Sequence, residues 1–274
     1  MNPLHQRLGL HVTGAVAALS FTIDAGLVAA AMTLPWFCLG VALALNELRT
    51  IGVATLLRRP NVAVLGPLAT WTWMVAGASW LTAHRLGVEP LGFDRAITLL
   101  TVAHFHVAGL GLTALLVVTH HRRPRTTLLA AIWLHQTGML TVAAGLTFSD
   151  HLEVAGAAEI TVALAMWAAI VAAWICNELR GMARVLLAVA AIAWILPMAL
   201  ALGWALGPFL PEPVLTMFKT MLRYHAALQT FGLALCGLTG VLLAEVASDR
   251  PPPTSATHNT TMEDHDDMAH QTHA

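Results

Sequence analysis

The chain has 274 residues, of which 57% are hydrophobic and only 11% are charged. An average soluble domain has about 25% charged residues, so this chain has too few polar groups to cover a water-facing surface. The composition excludes a soluble enzyme, a nucleic-acid-binding protein and a disordered chain, and it indicates a polytopic membrane protein.

Eight segments are apolar enough and long enough to cross a bilayer, which takes about 20 residues. Proline, glycine and charged residues separate them, because these residues avoid helix interiors or hydrocarbon. The predicted spans are residues 12–34, 36–57, 62–84, 96–118, 127–148, 155–177, 184–207 and 214–246. Pro35 is expected to form a tight turn between the first two. The predicted fold is therefore an all-α bundle of eight transmembrane helices, within a membrane domain of residues 1–248.

A short repeat indicates that this bundle consists of two halves. The sequence Asn-Glu-Leu-Arg ends the second span at residues 46–49 and the sixth span at residues 177–180. Repeated halves are common in polytopic membrane proteins, so two parallel four-helix halves are expected, residues 12–118 and 127–246. Glu47 and Glu178 within the repeat are expected to pair with another helix or with interfacial water, because neither can face the arginine two residues further on.

The basic residues predict how the bundle is oriented. Ten arginines fall on one side, whereas three arginines and one lysine fall on the other. Cytoplasmic loops carry an excess of basic residues, so the ten-arginine side and both termini are expected in the cytoplasm. Residues 249–274 are acidic and rich in histidine. They are expected to form a disordered cytoplasmic tail, for which a solvated state is favoured over loose copper or nickel binding.

Ionisable side chains at depth in the membrane are costly and are therefore candidates for function. Asp24 lies in the first predicted span, His104 and His106 in the fourth, and His135 in the fifth, while His225 lies near the outer end of the eighth. A histidine, whose pKa is about 6.5, can give or take a proton at neutral pH. Residues two apart on a helix point about 200° apart, so one regular helix cannot direct both His104 and His106 at one metal ion.

The eighth span offers a second pair of polar side chains. His225 and Gln229 are four residues apart, so they share a helix face and could orient a polar group or pass a proton. His135 and its neighbour Gln136 are candidates for the same cavity, with hydrogen bonding between helices as the alternative. Gly111, like Gly109, is expected to allow a neighbouring helix or a flat ligand to approach closely.

Two motifs resemble those of the YndJ-like bacterial membrane proteins. Residues 104–110, His-Phe-His-Val-Ala-Gly-Leu, are similar to that family's HFHYAGF-type motif. Residues 223–233 are similar to its second motif, a histidine followed by asparagine four residues later and glycine seven residues later. This chain has Gln229 in place of the asparagine, which keeps the amide but lengthens its reach. The resemblance implies a polytopic protein of the bacterial inner membrane without specifying an activity.

A narrower resemblance concerns residues 103–106, which are similar to the haem-ligand helix of haem–copper oxidase subunit I. The chain has too few spans for that family. Its only tyrosine is Tyr224, so the His-Pro-Glu-Val-Tyr copper segment is absent. Oxidase chemistry is therefore discounted, but binding of haem or a transition metal through His104, His106 and His225 stays open.

Three functions are compatible with these residues. The first is a membrane enzyme acting on a lipophilic small molecule from the outer half of the bilayer. In it His104, His106 and His225 would supply acid–base or metal-assisted catalysis, Gln229 would orient the substrate and Asp24 would be a charge partner. The second is a haem- or copper-binding protein that uses the same histidines.

The third function is a small transporter or a non-catalytic scaffold. A transporter built from repeats is expected to have broken helices at corresponding places in its two halves. Apart from Pro197 in the seventh span, the sequence shows no paired glycine or proline break. This function therefore ranks third.

Overall fold

Helices account for nearly all of the residues that the computed structural model describes, which are 3–52, 62–210 and 218–248. No strand occurs within these ranges. The helices are α1 (Pro3–Leu19), α2 (Leu27–Ile51), α3 (Val62–Leu86), α4 (Arg95–Arg122), α5 (Thr126–Phe148), α6 (Asp150–Asn177), α7 (Gly181–Phe209, interrupted at Trp194) and α8 (218–248). The predicted tail, residues 249–274, lies outside the described residues.

Six of these helices are long and apolar enough to cross a membrane, namely α2, α4, α5, α6, α7 and the Leu222–Ala247 part of α8. α1 contributes only a shorter apolar stretch, Leu8–Thr22. α3 is not among the six. The predicted class, an all-helical multi-pass membrane protein, is confirmed. The predicted count of eight spans is not, and the predicted orientation stays a prediction.

The chain breaks between α1 and α2 at residues 20–26 and not at Pro35. Pro35 lies inside α2, where it removes one backbone hydrogen bond without ending the helix. Neighbouring helices make such prolines tolerable in membrane helices, which is why the predicted turn is wrong. Asp24 lies in this connection and is exposed. The prediction that it occupies the middle of a helical span is therefore also wrong.

Arg85, at the end of α3, holds the α1–α2 connection in place. Its Nη2 donates to the carbonyl of Ile23 at 2.6 Å. Its carbonyl accepts from the N–H of Gly26 at 2.7 Å. Gly26 has a φ of 156°, a conformation that glycine adopts more readily than other residues. These contacts fix the connection between α1 and α2, which ends at Gly26, nine residues before the turn that the sequence predicts at Pro35.

The packing order repeats along the chain. α1 packs on α2, α2 on α3 and α3 on α4, and likewise α5 on α6, α6 on α7 and α7 on α8. α4 also packs on α8, so the last helices of the two sets meet. The division into halves of residues 12–118 and 127–246 stays a prediction, and this order of contacts is compatible with it.

Ion pairs join helices at the end of the bundle where α4 and α6 terminate. Arg122 pairs with Glu245 of α8, and Arg123 pairs with Glu178, just beyond α6. Glu178 therefore pairs with the connection that follows α4, whereas the sequence predicts a partner on another helix or interfacial water.

α5 and α6 approach so closely that their backbones touch. A Cβ atom added to Gly156 would lie 2.5 Å from the backbone nitrogen of Val142, and one added to Gly145 would lie 2.3 Å from that of Glu153. Small residues allow this approach between membrane helices.

α4 and α8 share an irregularity. Residues Phe105–Leu112 of α4 and Leu228–Leu235 of α8 are each π-helical. π-Helices are rare and occur frequently at functional sites. The two π segments lie against each other, since a Cβ on Gly111 would be 3.6 Å from the Cβ of Ala234.

Candidate functional site

The structure brings His104 of α4 and His225 of α8 together. Their ring centroids are 5.9 Å apart and their ring planes differ by 23°. His104 immediately precedes the π segment of α4, and His225 lies three residues before that of α8. His225 is buried, with 8% of its surface exposed, whereas His104 lies at the surface of the bundle. The pair therefore joins an enclosed imidazole to an accessible one.

A backbone carbonyl fixes the orientation of the buried ring. Nδ1 of His225 lies 2.9 Å from the carbonyl oxygen of Pro197 in α7. Because that oxygen can only accept, Nδ1 carries the hydrogen and donates. In the neutral ring Nε2 then has a free lone pair. His225 is thereby set to act as a base or as a ligand through Nε2.

Gln229 lies on the same face of α8, as its spacing from His225 predicts. It is buried, and its Nε2 donates to the Sδ of Met198 at 3.4 Å. His225 and Gln229 thus contact consecutive residues of α7, Pro197 and Met198. This places the amide beside the buried member of the histidine pair.

His106 belongs to a different contact. Its Nε2 accepts from Nε1 of Trp36 in α2 at 2.9 Å, and its Nδ1 donates to the carbonyl of Val102 at 2.8 Å. Its ring packs closely against α3, since a Cβ added to Gly77 would lie 2.7 Å from it. Both ring nitrogens are therefore engaged. His104 therefore contacts α8 and His106 contacts α2, as expected for two residues that point about 200° apart on one helix.

His135 and Gln136 form a network that links α3, α4 and α5. The amide oxygen of Gln136 accepts from Nε1 of Trp73 at 2.6 Å, and its Nε2 lies 2.9 Å from Oγ1 of Thr113 and 3.1 Å from Nδ1 of His135. Within the described part of the chain, none of these hydrogen bonds reaches the His104–His225 pair. The alternative prediction, hydrogen bonding between helices, describes this network.

Three of the partners in these contacts carry no signal in the sequence. A tryptophan or threonine in an apolar span resembles an ordinary core residue, so residue type does not distinguish Trp36, Trp73 or Thr113 from their neighbours. Pro197 is visible as a helix break, but the carbonyl that it presents to His225 is not. Only the histidine or glutamine of each contact can be found from residue type.

Substituting Trp36 by phenylalanine is expected to lower the free energy of unfolding by about 0.6 kcal/mol, the average measured for hydrogen bonds between membrane helices, and by at most about 1.7 kcal/mol. The change removes the donor to His106 and leaves an aromatic ring. The measurement is SDS-induced unfolding of protein in mixed micelles. Trp133→Phe is the matched control, since Trp133 is 48% exposed. Equal stability of the two variants would contradict a structural role for the Trp36–His106 bond.

Metal-binding residues do not cluster in the part of the chain that the structure describes. No group of three or more His, Cys, Asp or Glu side chains there could hold a metal ion. A metal at the histidine pair would therefore draw two ligands from those residue types, His104 and His225.

The helical architecture and apolar surface define a multi-pass membrane protein. The chain matches the family described as YndJ-like protein over residues 4–233, and it belongs to that family. The match runs from α1 into the π segment of α8, so it includes both histidine motifs and confirms the resemblance. No curated protein matches the chain, and no solved structure matches it.

Proposed function

We propose that His104 and His225 form an acid–base pair that acts on a lipophilic small molecule within the membrane. The observation that carries this proposal is the meeting of two imidazoles from separate helices, with ring centroids 5.9 Å apart. A histidine at depth in a membrane is costly, so two in contact favour a function over simple packing. Histidine is also the side chain most often used for proton transfer.

The two rings have complementary roles in this proposal. His225 accepts a proton at Nε2, because its Nδ1–H is committed to the carbonyl of Pro197. His104 returns a proton from the exposed side. It lies nine residues after Arg95, the start of α4, which is about 14 Å along a helix. A substrate dissolved in the bilayer can reach a side chain at that depth without entering water.

The three other predicted site residues act indirectly or not at all in this proposal. Gln229, one turn from His225, orients the substrate or the ring. His106 is a positioning residue, because Trp36 and the Val102 carbonyl engage both its nitrogens. Asp24, in the exposed α1–α2 connection, has no part in the proposed proton transfer.

The alternative is that the same two histidines bind haem or a copper ion. Metal-bound histidines commonly donate their other N–H to a backbone carbonyl, which is the arrangement of His225 and Pro197. His104 and His225 would hold the metal, which would supply redox chemistry. A Soret band or stoichiometric copper in the purified protein would support this alternative and contradict acid–base chemistry.

A transporter is a second candidate, and the paired π segments favour it. Irregular helices at corresponding places in two halves are typical of transporters. Phe105–Leu112 and Leu228–Leu235 occupy such places in α4 and α8. In this case the histidines would move a proton together with the transported molecule.

The proposal is tested by comparing lipophilic extracts of bacterial membranes that contain the wild-type protein, His104→Gln, His225→Gln or His121→Gln. Mass spectrometry should show a compound that the wild-type protein converts and that neither of the first two variants converts. His121 is exposed at the end of α4, so His121→Gln should behave as wild type.

Two results would overturn the proposed chemistry. Conversion by both His104→Gln and His225→Gln at the wild-type rate would remove the pair from the reaction. A compound that is redistributed across proteoliposome membranes without chemical change would instead support transport.

A further inference from the structure

A groove separate from the histidine pair lies where the α4–α5 connection meets the end of α6. It has a volume of about 500 Å³. Arg123 and Arg125 lie at its mouth, and Met166, Ile170, Ala173 and Trp174 of α6 form its wall. We call it the α5–α6 groove, since Thr127 of α5 completes its lining.

The wall of the groove has the length of one acyl chain in one leaflet. The lining of α6 runs from Met166 to Asn177, which are eleven steps apart and therefore about 16 Å apart at 1.5 Å per residue. Half of the hydrocarbon core of a bilayer is about 15 Å thick. Met166, Ile170 and Ala173 are spaced four and then three residues apart, so they lie on one face of the helix. The groove is therefore a continuous apolar track that ends at the arginines.

The mouth of the groove carries an excess of positive charge. Arg123 pairs with Glu178, and its Cζ lies 5.0 Å from the centre of the Trp174 ring. These two contacts hold its guanidinium at the groove. Arg125 is exposed. With two arginines against Glu178, the ionisable residues of the lining carry a net charge of +1.

A smaller pocket beside the groove extends this positive surface. It shares Asn177 and Glu178 with the groove and is otherwise lined in part by Arg180 and Arg184. Guanidinium groups bind phosphate oxygens through charge-assisted hydrogen bonds, often two at once. Arginine clusters between membrane helices accordingly suit anionic lipid headgroups.

We propose that the α5–α6 groove binds an anionic phospholipid. Its phosphate lies at Arg125 and Arg123, and one acyl chain lies along Met166, Ile170 and Ala173. A zwitterionic phospholipid has the same chain but no net charge to match the arginines. The charge at the mouth therefore selects the lipid, and the apolar wall holds it.

The test measures lipid retention by the purified full-length protein with native mass spectrometry. The probes are phosphatidylglycerol and phosphatidylcholine with identical acyl chains. Wild-type protein should retain phosphatidylglycerol at a concentration about fivefold lower than it needs to retain phosphatidylcholine. This factor corresponds to about 1 kcal/mol for one basic residue. Arg125→Gln should abolish that difference. Arg49→Gln is the matched control, an exposed arginine at the end of α2 outside the groove.

A second variant tests the apolar wall independently of charge. Ile170→Trp fills the track and should weaken retention of both lipids, with the arginines unchanged. Equal loss of preference in Arg125→Gln and Arg49→Gln would show diffuse surface charge and overturn the proposal. Displacement of the lipid by glycerol phosphate at equal concentration would identify a soluble phosphate as the ligand and overturn it as well.

Discussion

Gly156→Ala is expected to destabilise the protein by about 1–3 kcal/mol, the usual cost of overpacking a closely packed interior. The added Cβ would lie 2.5 Å from the backbone nitrogen of Val142 and 2.8 Å from the carbonyl oxygen of Gly138. Both atoms belong to the backbone of α5, so no rotation of a side chain can relieve the contact. α5 and α6 must separate, and the contacts along the rest of their interface weaken.

The measurement is the free energy of unfolding in mixed micelles, with Gly9→Ala as the control. A Cβ added to Gly9, inside α1, would lie 3.7 Å from a methyl carbon of Leu39, which is an ordinary van der Waals contact. Alanine there should leave stability unchanged or raise it by about 0.5–1 kcal/mol, because glycine is the poorer residue inside a helix. If Gly156→Ala is as stable as Gly9→Ala, the backbones of α5 and α6 do not touch at this point.

Loss of either histidine of the pair is expected to slow the proposed reaction at least about 100-fold, the lower end of what general acid–base catalysis contributes. The double variant His104→Gln/His225→Gln should be no slower than the slower single variant. Groups that act as one unit show such non-additivity, because removing one already disables the other. Rates are measured on the compound that the membrane extracts identify.

Folding of the histidine variants must be checked separately. A glutamine at residue 225 still has an N–H that can donate to the Pro197 carbonyl, so thermal unfolding should stay near that of wild type. If the rate reductions of the two single variants multiply in the double variant, the two rings act independently. That result would contradict an acid–base pair while leaving each histidine a separate role.

Composition and two short motifs were enough to predict the class of fold and the residues of the pair. The scarcity of charge required a membrane bundle, and the two-residue spacing separated His104 from His106. The backbone features were not predictable. Pro35 continues α2 because neighbouring helices tolerate the lost hydrogen bond. The hydrogen bond from His225 to Pro197 depends on a carbonyl that every residue possesses.

The π segments were missed for a related reason. Apart from His106, Gln229 and Thr230, both are made of apolar and small residues, and such sequences would also form an ordinary α-helix. From the sequence the transporter hypothesis ranks third, because paired glycine or proline breaks are missing, although paired irregular helices exist. Only the hydrogen-bond pattern of the backbone distinguishes a π segment from an α-helix.

The π segments also determine where the histidines point. One residue added to a helix turns everything before it by about 100° relative to everything after it, because an α-helix has 3.6 residues per turn. His104 and His225 both lie on the amino-terminal side of their segments. A π-helical turn holds more residues than an α-helical turn, so each segment changes the direction in which its histidine faces relative to the part of the helix beyond it. The meeting of the two rings therefore depends on the backbone of both segments as well as on the two side chains.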